Sequence, residues 1–323
     1  METAFTRLAG CRVPIQLAGM GIATTELAEA VARAGGLGTI NATWLGRPER
    51  AGTRLAAIAE SAPGALAVNI LAGLEEQVAL IDVVAPYVRA LDFFWAPPDP
   101  ALVARAHGAG ALAIWQVGTA DEARAAQDAG CDVIVAQGSE AGGHLRGTLP
   151  LFELLDEVLD AVDVPVLAGG GIANARRLAA VLAAGAAGAR VGTRFATAAG
   201  SAAHPAYVEA LADACGSDTV VTGRFSVDCP LCPSRHRVLG RSVESAERHR
   251  GPTVASMAGP GDTTIAVPPF SGMPPTAAVS GDITAMALYA GRGVTHCRRH
   301  DTAAAIVEEL TDGAAALLAA TAG

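Results

Sequence analysis

The run Gln137-Gly138-Ser139-Glu140-Ala141-Gly142-Gly143-His144 ends a glycine-rich turn in a histidine, directly after the apolar stretch Val133–Ala136. Histidine changes charge near neutral pH, so an imidazole beside a ligand serves as general base or acid. A lone loop histidine is otherwise exposed or structural, and it is the neighbouring glycines, which let backbone approach a ligand, that favour a functional reading of His144. Two further segments, Gly169-Gly170-Gly171-Ile172 and Gly192-Thr193-Arg194, each close an apolar run. Backbone N–H groups in such turns hold phosphate without any cationic side chain. Leu17-Ala18-Gly19-Met20-Gly21 is either a plain tight turn or a surface for a flat ligand. Asn69, inside the apolar run Ala67-Val68-Asn69-Ile70-Leu71, needs hydrogen-bond partners, which a core or a ligand would supply equally well. Cys229-Pro230-Leu231-Cys232 with His236 has the spacing of three zinc ligands, and His249 is available as a fourth. The usual second ligand pair is missing, so free thiols are the favoured reading and no metal is expected.

These residues need a scaffold that brings them together. An Ala-Gly phrase recurs at 34–35, 109–110, 129–130 and 184–185, each time between an amphipathic stretch and an apolar run. A glycine just past a helix end supplies a left-handed cap, and the apolar run that follows reads as a buried parallel strand. This punctuation predicts strands near 14–18, 37–41, 65–70, 91–95, 111–117, 132–137, 164–169 and 188–192. Helices are predicted near 24–34, 47–61, 74–88, 99–109, 119–129, 151–162 and 173–184. Thr119 with Glu122 has the spacing of a capping box. Eight alternating units predict a (β/α)8 barrel, the TIM-barrel class of α/β fold, with an open doubly wound sheet as the alternative. From about 200 to 280 the text becomes rich in Pro, Gly and Ser, which predicts an inserted substrate or lid subdomain at 201–281 within a barrel of 1–200 plus 282–323. Regular helix is expected to return at 282–291 and 302–320.

Composition removes whole classes of function. All 23 basic residues among the 323 are arginine. Schiff-base aldolases, pyridoxal enzymes and Walker-type nucleotidases, which use a lysine, are therefore excluded. A formal charge of −9 argues against nucleic-acid binding. The longest clean apolar stretch, Leu178 to Ala189, is too short to span a bilayer, so no membrane partner is expected. The N-terminal segment lacks the apolar run of a signal peptide, and six sparse cysteines are read as reduced in a cytoplasmic protein.

The segments Pro14–Gly21, Ala32–Ile40, Val68–Ile70, Gln137–Gly147, Pro165–Ala186, Val191–Phe195, Ser201–Leu211 and Gly281–Gly291 together resemble the FMN-dependent nitronate monooxygenases, formerly 2-nitropropane dioxygenases. That superfamily also includes the flavin-dependent enoyl-acyl carrier protein reductase II and some NADH:quinone reductases. The resemblance covers residues 12 to about 212 and again 268 to 310. It implies FMN across the C-terminal mouth of the barrel, with His144 as the catalytic residue. Gly19 and Met20 would then lie by the isoalloxazine, with Asn69 and Gln137 as polar contacts. Gly142 would belong to the flavin cradle, and Gly170, Gly171, Gly192 and Thr193 to the phosphate site. Position 190 departs from the pattern, where a neutral residue such as Gln is common. Arg190 shares a strand face with Gly192 and either stabilises reduced flavin or pairs with a neighbouring carboxylate. The implied activity is FMN-dependent oxidation of alkyl nitronates or nitroalkanes by O2. The alternatives are an NAD(P)H-dependent reductase acting on an enoyl thioester or quinone, and a flavin-binding protein without turnover.

Overall fold

The computed structural model of the chain describes residues 1–61, 64–259 and 263–321. Its central sheet contains β1 (Ile15–Leu17), β2 (Gly38–Asn41), β3 (Leu66–Leu71), β4 (Ala90–Phe94), β5 (Leu112–Val117) and β6 (Val133–Gln137). The short strand β7 (Gly143–Leu145) leaves the sheet, which resumes with β8 (Val166–Gly169) and β9 (Gly188–Val191). The order is β1-β9-β8-β6-β5-β4-β3-β2, parallel throughout. A parallel bridge between Gln16 and Leu37 joins the two edge strands, so the sheet curls into a TIM barrel. All eight strands lie where the sequence pattern places them.

The helices follow the same punctuation. Thr24, Thr119 and Asn174 cap helices Thr25–Ala34, Ala120–Asp128 and Ala175–Ala183 by accepting from a backbone N–H. The expected capping box at Thr119 is only half formed, because Glu122 accepts from the Gly118 N–H instead of reaching back to Thr119. Two predicted helices differ. The stretch 74–88 forms the short pieces Glu75–Val78 and Ile81–Val84 followed by a 3-10 turn, Ala85–Tyr87, where Pro86 has no N–H to continue an α-helix. The expected helix at 282–291 is absent: only Ile283–Ala285 coils, as a 3-10 turn. The rest runs extended, with the Leu239 N–H donating to Leu288 O and Tyr289 bridging Val238. Met286, Ala287, Leu288 and Ala290 are all buried, so this run has no polar stripe to set toward water as a surface helix requires.

Side chains alternate along each strand, and the inward set changes character with height. The lower layer is apolar: Leu37, Ala67, Ala90, Ile114, Val133, Val135 and Leu167, closed from below by Phe5 of helix Ala4–Ala9. One inward step toward the strand C-termini stand Gln16, Thr39, Asn69, Asp92, Gln116, Gln137 and Arg190, all buried and all polar. A barrel interior filled with aliphatic side chains needs no such layer for packing. Its polarity points to the C-terminal mouth.

Beyond the barrel, β10 (Thr219–Thr222), β11 (Arg235–Leu239) and β7 form an antiparallel sheet in the order β10-β11-β7. A second small sheet contains β12 (Ala255–Ala258), β13 (Thr264–Val267) and β14 (Val279–Gly281). A separate apolar cluster, running from Ala196 to Cys297 with Ile22 added, holds this region together. It therefore draws in 282–297 as well as the inserted segment. Among the described residues no helix is long and apolar enough to cross a membrane.

Candidate functional site at the barrel mouth

His144 is held by backbone pairing with one strand and by side-chain hydrogen bonds to the backbone of its own strand. It lies on β7, antiparallel to β11, in register with His236. Side chains of directly paired residues share a face, and the two imidazoles meet edge to face with centroids 4.4 Å apart. Gln137, at the end of β6, fixes this strand. Its Nε2 donates to the His144 carbonyl at 3.0 Å and its Oε1 accepts the Arg146 N–H at 2.8 Å. The Trp95 and Tyr289 rings complete the enclosure at 5.6 and 5.7 Å. Trp95 has φ of +75°, in the left-handed region that bulky side chains avoid, and its ring carries the Arg146 guanidinium at 5.7 Å. Burial, and then the neighbouring His236, push the His144 pKa down to about 3. Burial alone lowers His236 to about 4. Both rings are unprotonated at neutral pH, so His144 presents a free lone pair there, a weaker base than an ordinary imidazole so long as no anion lies beside it, and offers no fixed positive charge.

The glycine turns converge beside this histidine. A Cβ on Gly142 would lie 2.5 Å from the Gly291 nitrogen and 3.1 Å from Thr193 Oγ1, so the loop after β6 touches both the loop after β9 and the segment 290–293. Thr193 Oγ1 accepts the Gly291 N–H at 3.0 Å. A Cβ on Gly19 would overlap the Asn69 side chain at 2.2 Å, and one on Gly192 would meet Met20 Sδ at 3.5 Å. Gly19, Met20, Asn69, Gly142, Gly192 and Thr193 thus share one end of the barrel, with Gly170 packed on Gly138 O and Gly171 on Glu140. The backbone N–H groups of Gly170, Gly171, Gly192 and Thr193 donate to no other described group. Gly171 adopts φ of +67°. Consecutive free amides in such a turn form a concave anion site, which suits a phosphate ester.

Like Gln137, two other residues foreseen as ligand contacts commit their side-chain groups to protein partners. Asn69 donates from Nδ2 to Asp92 Oδ2 at 2.9 Å and to the Asp92 carbonyl at 3.1 Å. Arg190 forms an ion pair with Asp92, which is fully buried. Its remaining donors go to Gln116 Oε1 at 2.6 Å and Gln16 Oε1 at 3.2 Å. The carboxylate-paired reading of Arg190 is therefore the one realised, and its charge is already matched inside the barrel.

The cysteine expectation needs correction. Cys229 and Cys232 are not free thiols but a disulfide, with Cα atoms 5.5 Å apart, while Cys11, Cys131, Cys215 and Cys297 are free. Nor does His249 approach them: its Nε2 meets the Thr253 carbonyl at 3.0 Å and its Nδ1 faces Asp282. The imidazoles beside this pair are His144, whose Nε2 lies 3.2 Å from Cys229 Sγ, and His236, whose Nε2 lies 3.4 Å from Cys232 Sγ. Sequence reading misses Trp95, His236 and Tyr289 as neighbours of His144. Trp95 ends a predicted strand and was open to notice there. His236 and Tyr289 arrive only through the pairing of β11 with β7 and with the 286–290 run, which no local pattern announces. Tyr207 anchors this wall, its hydroxyl donating to the Tyr289 carbonyl, and His204 caps helix Pro205–Ala212.

Known proteins share this chain's sequence pattern and its fold. A family model described as nitronate monooxygenase matches residues 47–313. A hydroxy-methyl-oxo-octahydroindene-carboxyl-CoA dehydrogenase from Mycobacterium tuberculosis is 36% identical over 262 residues, 78% of this chain and 71% of that protein. Its namesake from Rhodococcus jostii is 38% identical over 199 residues, covering 60% of this chain and 55%, about half, of that protein's length. Among solved structures, FabK from Thermotoga maritima superposes with a TM-score of 0.79 at 26% identity, covering 100% of this chain and 99% of that one. A nitroalkane oxidase from Streptomyces ansochromogenes gives 0.76 at 27% identity, covering 99% of each chain.

Proposed function

The chain belongs to the nitronate monooxygenase family of flavin-dependent oxidoreductases, and on that premise we propose that it uses FMN to oxidise an alkyl nitronate, or a nitroalkane after deprotonation, with O2 to a carbonyl compound and nitrite. The observation that carries the reading is a neutral, enclosed imidazole, His144, at a glycine-lined barrel mouth. Gly170, Gly171, Gly192 and Thr193 would offer their free amides to the cofactor phosphate. Gly19, Met20 and Gly142 would provide low, close-lying surface for a flat ring, and Asn69 and Gln137, whose own side-chain groups bond to protein, would support it indirectly. Bound FMN would supply the electron acceptor between the substrate and O2.

The chain's own residues handle the proton and the pose. The His144 lone pair takes the acidic α-proton of a nitroalkane, while Gln137 holds the strand that carries the ring. A preformed nitronate needs no such transfer, and His144 then orients it. In either case the protonated ring, which burial disfavours when no anion is near, would be stabilised by the negative charge of the nitronate beside it.

A second reading follows from the relatives named for a carboxyl-CoA thioester. A thioester also acidifies its α-carbon, so the same base would serve an acyl-CoA substrate. Anaerobic mixing of the yellow protein with a nitronate, an acyl-CoA panel, NADH and NADPH separates the readings. Bleaching by nitronate supports the first and bleaching by an acyl-CoA the second. Bleaching only by a nicotinamide makes the protein a reductase. Colourless protein that FMN does not reconstitute overturns both.

A further inference from the structure

The disulfide and the two histidines form one compact group. Ligand-type atoms of His144, Cys229, Cys232 and His236 all lie within 4.8 Å of one another. His144 Nε2 is 3.2 Å from Cys229 Sγ, and His236 Nε2 is 3.4 Å from Cys232 Sγ. Zinc bonds of about 2.3 Å to sulfur and about 2.0 Å to nitrogen place tetrahedral ligand atoms roughly 3.3–3.8 Å apart. Both nitrogen–sulfur separations already sit close to that range. The two strands that carry the histidines are fixed by the β7–β11 ladder, and the cysteines stand on the Cys-Pro-Leu-Cys turn that leads into β11.

We propose that reduction of the Cys229–Cys232 disulfide opens a Cys2His2 site for a borderline-soft divalent cation, zinc, with His144 as its fourth ligand. A dithiol reductant, small-molecule or protein-borne, breaks the S–S bond and is itself oxidised to a disulfide, leaving two thiols. Zinc then binds both sulfurs as thiolates, releasing two protons, and takes the lone pairs of the two neutral imidazoles. Two nitrogens and two sulfurs select zinc over magnesium or calcium, which require oxygen ligands. Four protein ligands close the coordination sphere, as in structural rather than catalytic zinc sites. The metal would tie the 229–236 segment to β7. It would also occupy the lone pair that a base needs, so metal loading and proton abstraction by His144 exclude each other. That consequence rests on the function proposed above, whereas the binding itself does not.

The test uses the full-length flavin-loaded protein, reduced with excess dithiol, freed of reductant under anaerobic conditions, with its thiols counted. Cobalt(II) is titrated in and followed by difference spectra, then displaced with zinc. The expected result is one cobalt per chain, with tetrahedral d–d bands and thiolate-to-cobalt charge transfer, both abolished by re-forming the disulfide. Cys232→Ser and His144→Asn are each expected to weaken cobalt binding by about 100-fold or more. Should either variant fail to fold, the contrast between reduced and oxidised wild-type protein decides alone. Fully reduced protein that binds no cobalt, or binds it without thiolate charge transfer, overturns the proposal. So does binding that survives re-oxidation.

Discussion

Arg190→Gln is the most informative single change in the barrel. It removes the cation from a carboxylate, Asp92, that has no exposed surface and whose remaining side-chain partner is Asn69. Breaking a buried pair by deleting one member costs about 3–5 kcal/mol, chiefly because the other charge is left without a counter-charge. In a chain of this length that corresponds to a fall in melting temperature of roughly 4–7 °C. Gln16 Oε1 and Gln116 Oε1 also lose donors, though the new amide can serve one of them. Asp92→Asn is expected to cost a similar amount, because it strands Arg190. The double variant leaves two amides and no charge, and is expected to lose only about 1–2 kcal/mol. The assay is a double-mutant cycle by reversible denaturant unfolding, with the potential of bound flavin measured on the same four proteins. In the single variant the unmatched Asp92 charge lowers the potential, and in the double variant it returns toward wild type. Additive stability losses would refute the argument that charge matching makes this layer. A potential that stays low in the double variant would instead assign the electronic role to the Arg190 cation itself.

Other consequences are open to direct measurement. His144→Asn is expected to keep the flavin but lose about 10²–10⁴-fold in flavin reduction by a nitroalkane, measured by stopped flow; normal turnover would remove its catalytic role. Gln137→Ala frees the backbone at 144 and 146, and a loss on the order of 100-fold in the same assay with flavin content unchanged marks a positioning residue. Gly142→Ala forces a methyl to within 2.8 Å of the Ala290 carbonyl carbon, so purified protein should carry less flavin and melt earlier. His144 and His236 have folded pKa values of about 3 and about 4, below the ordinary 6.5. Their stability contribution is complete above pH 6.5 and declines as pH falls toward those values, because only the unfolded chain takes up the protons. Unfolding free energies at pH 7 and pH 5 should therefore differ less in a His144→Asn, His236→Asn double variant than in wild type; equal differences would contradict the burial argument.

The sequence by itself determined the barrel. Strand positions follow from apolar runs set off by Ala-Gly caps, and those local signals are strong because each strand is buried on both faces. It also located the glycine turns, since a backbone that must approach another closely can be built there only from glycine, as at Gly142. The absence of lysine pointed to amide-bound phosphate, and the free N–H groups at 170–171 and 192–193 fit that reading. Tertiary structure decided everything that depends on pairing across long separations. Arg190 meets Asp92 only when β9 and β4 face each other across the closed barrel, 98 positions apart in the chain. The apolar run at 286–290 looked helical, but it is extended because the end of β11 offers it hydrogen bonds and burial on every side. Cys229, Cys232 and His236 looked like an incomplete ligand set because their fourth member, His144, lies 85 residues before Cys229. Local spacing encodes elements; which side chains from distant elements meet is set by sheet order and register, and there the chemistry of this mouth is assembled.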